Sequence, residues 1–157
     1  MKIELWLVGK TNKAYLKDGM DIYQKRIGKY IPFQMEIIPD IKSAKNLSAL
    51  LLKKKEGERI LSKIDKKDCL ILLDENGKQF TSEAFAKYFE QQLQSSFRKI
   101  IFLIGGAYGF SEEVYQRANF KIAVSKMTFS HQMVRLFFLE QLYRAMTILR
   151  NEPYHNV

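Results

Sequence analysis

Two periods of apolar residues alternate along this chain. Lys2–Val8 alternates apolar and polar positions, with Ile3, Leu5 and Leu7 on one face, which predicts a strand closed by Gly9. Leu16, Met20, Tyr23, Ile27 and Tyr30 follow at 4-3-4-3 spacing, the apolar stripe of a helix whose other faces carry Lys13, Lys17, Lys25, Arg26 and Lys29. Phe33–Ile38 reads as a second strand ended by Pro39. Asn46 is expected to cap a long helix reaching about Ile64, with Leu47, Leu50, Leu51, Ile60, Leu61 and Ile64 turned to the core. Cys69–Leu73 and Ile100–Ile104 are continuous apolar runs, as in strands buried on both faces. Between them Asn76-Gly77 suggests a turn, and Ser82 caps a helix that buries Phe85, Phe89 and Leu93. Ser111 begins a short helix with Glu112 and Glu113 in its first turn, where acidic residues suit the helix dipole. Lys121–Val124 is a fifth strand, Ser125–Ser130 a loop, His131 to Arg150 a last helix, and Asn151–Val157 a tail.

Five strands alternating with five helices predict an α/β fold with a mainly parallel sheet flanked by helices. No repeat or linker interrupts residues 1–157, so one domain is expected. The last helix is apolar on nearly every side, from Met133 to Leu149, so a second covering surface is expected, most simply a homodimer.

Charge narrows the class of partner. The chain has 26 Lys and Arg against 17 Asp and Glu, a net charge of +9, which favours a polyanion such as RNA. The densest stretch, Lys42 to Lys67, holds nine basic residues opposed only by Glu56, Glu58 and Asp65. No apolar run is long enough for a membrane helix and no leader pattern is visible. A single cysteine, Cys69, excludes an internal disulfide, and a cytoplasmic location is expected.

Ligands of open α/β sheets bind beyond the carboxyl ends of the strands. Three such ends draw attention: Leu73 with Asp74–Gly77, Ile104 with Gly105–Gly109, and Val124 with Ser125–Phe129. The glycine loop allows close approach of a ligand, and equally a plain tight turn; it fits neither a dinucleotide fingerprint nor a P-loop. The Ser125–Arg135 segment mixes hydroxyls, Met, Phe, His and Arg, as a pocket lining does, though His131 and Met127 also suit a helix start and a core. Only His131 and His155 are histidines, and no spacing suits a zinc or iron site, so no metal is expected.

In order and spacing, four segments together resemble the ribosomal RNA large subunit methyltransferase H family of the SPOUT methyltransferases. They are Leu73-Asp74-x-x-Gly77-Lys78, Ile104-Gly105-Gly106-x-x-Gly109, Ser125-x-Met127-Thr128-Phe129-x-His131-x-x-Val134-Arg135, and Glu140–Ala145 followed by Pro153-Tyr154-His155; Lys55–Arg59 agrees as well. The resemblance spans the whole chain and departs at Ser130, where proline is usual, and at Ala107-Tyr108. It implies a C-terminal trefoil knot, a homodimer and S-adenosylmethionine as cofactor. It implies methylation of N3 of a pseudouridine in a hairpin of large-subunit (23S) rRNA on the assembled ribosome. Carried residue by residue, it implies cofactor contacts from Leu73, Gly105, Gly106, Val124, Ser125, Lys126, Met127, Thr128 and Phe129. On the catalytic side it implies Arg144, Tyr154 and His155, with His155 as the candidate general base because an imidazole titrates near neutrality. A non-catalytic RNA-binding or ribosome-assembly factor, and a knotted methyltransferase with another RNA target, are the alternatives.

Overall fold

In a computed structural model, which describes residues 1–156, five parallel strands form one sheet in the order β2-β1-β4-β3-β5. Val157, the end of the expected tail and domain, lies outside the described residues. In chain order the elements are β1 (Lys2–Val8), α1 (Ala14–Gly28), β2 (Phe33–Ile38), α2 (Ala49–Leu61), β3 (Cys69–Gln79), α3 (Ser82–Leu93), β4 (Lys99–Ile104), α4 (Glu112–Arg117), β5 (Phe120–Ala123) and α5 (Met133–Leu149).

The continuous apolar runs are explained by two cores, one on each face. Ile100, Phe102 and Ile104 point to one face, with Cys69, Ile71 and Leu73, under α1, α3 and α5. Ile101 and Leu103 point to the other, with Leu70, Leu72 and Trp6, under α2 and α4. Strands buried on both faces lose the polar alternation that marks a half-exposed strand.

Three local expectations are corrected. Asn46 lies in a short 3-10 turn, and Ser48 caps α2 by accepting from the Leu51 amide at 3.1 Å. The helix stops at Leu61, and Leu50 and Leu51, 76% and 41% exposed, face solvent rather than the core. The cap of α3 is Thr81, one residue before Ser82, accepting from the Ala84 amide at 3.1 Å.

The largest departure is at Asn76-Gly77, where β3 continues to Gln79 instead of turning. Ile122 of β5 is in register with Leu73 and again with Lys78. A Cβ on Gly77 would stand 2.6 Å from the Ile122 backbone N and C. The glycine is there because one chain segment lies directly on another, not because a turn requires it.

Arg135 was expected only as part of a pocket-lining motif, and it is completely buried instead. Its guanidinium donates to the carbonyls of Val8 (2.7 Å) and Gly9 (2.9 Å) and to the Thr11 hydroxyl (2.9 Å), tying the end of β1 to α5. Burial lowers its pKa, and the nearby Asp40 carboxylate opposes that. Arg135→Met is expected to destabilise the fold by about 3 kcal/mol, because two buried carbonyls lose their donor. Urea unfolding measures this; a change under ~0.5 kcal/mol would contradict the anchoring role.

Candidate functional site

A cavity of about 500 Å³ opens at the carboxyl ends of β3, β4 and β5. Ile104 ends β4, Leu73 ends the first paired stretch of β3 before its register shift, and the Gly105–Phe110 loop and the segment after β5 complete the lining. Gly105 is a close-approach position, since a Cβ there would meet the Phe110 ring at 3.0 Å. Of the expected cofactor residues, Leu73, Gly105, Gly106, Val124, Ser125, Met127, Thr128 and Phe129 line this cavity. Lys126 does not; it faces a neighbouring cleft with Glu75, Asn76 and Gln79. His131 also lines the cavity, and burial, then the adjacent Arg135 charge, lowers its pKa and favours the neutral ring.

Two carboxylates at the cavity lie in the Asp74–Gly77 segment but have no assigned role in the sequence reading. Asp74 accepts from the Tyr115 hydroxyl, and Glu75 accepts from the Thr128 hydroxyl at 2.7 Å. Burial first, then the bond to Asp74, raises the Tyr115 pKa, so the phenol keeps its proton and holds the carboxylate in place. These contacts join residues 41 and 53 positions apart, which a local pattern does not encode. The result is a pocket with apolar walls and negative charge at its rim. It suits a ligand with a cationic centre.

The expected catalytic residues gather elsewhere. After α5 the tail folds back along it, with the Glu152 amide donating to the Thr147 carbonyl at 2.9 Å. Tyr154 reaches Glu140 at 2.9 Å and its hydroxyl lies 3.2 Å from that of Tyr23. Arg144 forks onto Glu140 at 2.6 and 3.1 Å, and its guanidinium lies over the Tyr154 ring, 4.7 Å from the centroid. The Glu140 bond raises the Arg144 pKa, so the cation is secure. Burial, then the bonds to Tyr23 and Glu140, raises that of Tyr154, which keeps its phenolic proton.

His155 sits between Arg144, 3.1 Å from Nδ1, and Glu83, 2.8 Å from Nε2. A guanidinium only donates, so Nδ1 accepts and Nε2 carries the proton toward Glu83. Among the described residues, Glu83 and Glu140 are the parts of this cluster that sequence reading did not assign to catalysis. None of Arg144, Tyr154 and His155 lines the large cavity.

A second cavity, of about 160 Å³, bridges the two regions. Val124 belongs to both cavities. Ser82 and Gln141, the chain neighbours of Glu83 and Glu140, line it as well. Val124 thus links the two cavities, and the Gln141 Nε2 bond to Glu140 at 3.0 Å links the small cavity to the Arg144–Tyr154–His155 cluster. Among the described residues no three His, Cys, Asp or Glu side chains gather as a metal site, and no helix is long and apolar enough to cross a membrane.

Residues 1–155 match the family described as "Predicted SPOUT methyltransferase". The chain is 58% identical over 156 residues to the ribosomal RNA large subunit methyltransferase H of Christiangramia forsetii, covering 99% of each. It is 56% identical over 156 residues to the protein of the same name from Flavobacterium johnsoniae, again over 99% of each. A solved structure described as a probable methylase family protein from Haemophilus influenzae Rd KW20 aligns with a TM-score of 0.50. At 12% identity, over 95% of this chain and 66% of that one, it bears on the fold alone.

Proposed function

The chain belongs to the SPOUT methyltransferase family, and on that premise we propose that it methylates N3 of a pseudouridine in large-subunit (23S) rRNA on the assembled ribosome. The observation that carries this reading is the full-length similarity to ribosomal RNA large subunit methyltransferase H proteins together with a cavity at the family's motif residues.

S-adenosylmethionine fits the large cavity as methyl donor. Leu73 and Phe129 offer apolar walls, the backbone at Gly105, Val124 and Met127 offers hydrogen-bonding groups, and Asp74 and Glu75 place negative charge near a cation. When bound, S-adenosylmethionine would supply an electrophilic methyl group on a sulfonium that leaves as a neutral thioether. The chain's residues must align the acceptor nitrogen with that methyl, and alignment supplies much of the acceleration. They must also take the imide proton. The only lone pair on a neutral His155 ring is Nδ1, which accepts from Arg144. Proton removal therefore requires that contact to open. Opening it frees the Arg144 cation to face a phosphate or the charge developing on the base. Tyr154 is placed to stack on or bond to the target base.

The domain, taken as one unit over 1–157, is proposed to hold a C-terminal trefoil knot. The crossing of the Gly77 segment on Ile122 supports it. A homodimer in the cytoplasm completes the proposal. Met133 and Phe137 on α5, with Met127 and Phe129 beside it, are 39%, 40%, 75% and 37% exposed, a costly apolar surface for a monomer. Phe137→Glu is expected to give monomers by analytical ultracentrifugation at micromolar concentration; an intact dimer would place the interface elsewhere. The exposed lysines Lys13, Lys17, Lys25 and Lys29 of the α1 region and Lys54 and Lys55 of α2 are proposed to meet rRNA phosphates.

Calorimetric titration with S-adenosylmethionine tests the functional reading. One saturable site per chain is expected, and absence of binding would refute a methyltransferase. Alongside it, rRNA nucleosides from a strain lacking the gene should lose one methylated pseudouridine and regain it on complementation.

A further inference from the structure

The 160 Å³ cavity is too small for a drug-sized ligand or a whole nucleoside, which need roughly 300 Å³ or more. It suits one planar heterocycle. Phe80, Phe85 and Phe138 provide aromatic walls. Two polar groups face them and both have capacity left. Ser82 donates to Gln141 Oε1 at 2.8 Å, which leaves the serine lone pairs to accept. Gln141 Nε2 donates one hydrogen to Glu140 at 3.0 Å, which leaves a second to donate. An acceptor beside a donor complements a ring N–H beside a ring carbonyl.

Resting on the functional reading above, we infer that this cavity receives the extruded target base, and that Ser82 selects pseudouridine over uridine by accepting from its N1–H while Gln141 donates to the C2 carbonyl that both bases share. The base enters with N3 turned toward Val124 and so toward the methyl donor. N1 and C2 then form the deep edge, away from the C5 attachment to ribose. In uridine N1 bears the sugar and has no hydrogen, so the Ser82 acceptor goes unpaired. A site built to bond a group discriminates strongly against an analogue lacking it. The position also explains why Glu83 and Glu140 hold His155 and Arg144 one residue from these two readers.

Methyl transfer is measured under single turnover on ribosomes carrying either pseudouridine or uridine at the target, with wild type, Ser82→Ala, Gln141→Met and Ser82→Leu. Wild type is expected to prefer pseudouridine. Ser82→Ala should lose about tenfold or more in kcat/KM on pseudouridine and little on uridine, collapsing the preference, whereas Gln141→Met should weaken transfer to both bases and keep the preference. Ser82→Leu fills the cavity and should abolish transfer to both. S-adenosylmethionine affinity, thermal midpoint and dimer mass should be unchanged in all three. A Ser82→Ala enzyme that keeps the wild-type preference, or a Gln141→Met enzyme at full rate, overturns the base pocket alone. Loss of cofactor affinity would give the cavity to the donor, and loss of the dimer in Ser82→Leu would give it to the partner copy; either overturns the inference. A wild type that transfers no methyl to either substrate refutes the functional reading and the inference with it.

Discussion

Gly77→Ala is expected to cost more stability than any other single methyl added to this chain's glycines at ordinary φ. The added Cβ would stand 2.6 Å from the Ile122 backbone N and C and 2.8 Å from its Cα. The obstacle is main chain, and no side chain can rotate away. Ile122 is also held in register by β3, so β5 or the end of β3 must move bodily. Overpacking a core costs about 1–3 kcal/mol when side chains can adjust, and a backbone collision should cost at least the top of that range. Gly28→Ala is the control, because nothing lies within 4 Å of its Cβ position and it ends α1. Alanine there should be neutral or stabilising by up to ~1 kcal/mol. Urea midpoints of the two variants measure the contrast. Equal stabilities would mean the Gly77 segment does not lie on β5 in solution.

Arg144→Ala is expected to lower methyl transfer by about 10²–10⁴-fold while leaving S-adenosylmethionine affinity intact. Arg144 is the hub of the tail: it holds Glu140, the Nδ1 of His155 and the face of Tyr154. None of these groups touches the large cavity, so donor binding has no reason to change. Arg144→Lys should restore little, since one ammonium cannot fork onto Glu140 and still reach His155. His155→Ala should reduce the single-turnover rate similarly and also keep the donor. Deletion of residues 151–157 should abolish transfer and preserve the dimer. Single-turnover kinetics with calorimetry separates the two steps. A full-rate Arg144→Ala enzyme, or one that has lost only donor affinity, would remove the tail from catalysis.

What the amino-acid pattern revealed, and what it hid, follows from the range of each interaction. Ile100–Ile104 and Cys69–Leu73 were legible because burial on both faces leaves an uninterrupted apolar run. Ser111 was legible because a cap and its acidic first turn are local. Asn76-Gly77 misled because the same dipeptide serves a turn and a close backbone crossing, and the partner Ile122 lies 45 residues on. Arg135 reads as a lining residue in the sequence, since only the fold shows that the carbonyls of Val8 and Gly9 need its donors. Leu50 and Leu51 look like core in a helix pattern but fall in the outward first turn of a helix capped two residues late. Within the site, motif resemblance found most of the large cavity. It passed over Tyr115 on Asp74 and Glu83 on His155, pairs joined only through the fold.

Methyl transfer by the purified protein measures the proposed activity directly. Ribosomes lacking the modification are incubated with methyl-labelled S-adenosylmethionine, and the large-subunit rRNA is digested to nucleosides for mass spectrometry. One label per ribosome is expected, on the base of a pseudouridine at N3, with far slower labelling of naked rRNA. Label on a ribose hydroxyl or on another base, or no label with the donor bound, would contradict it.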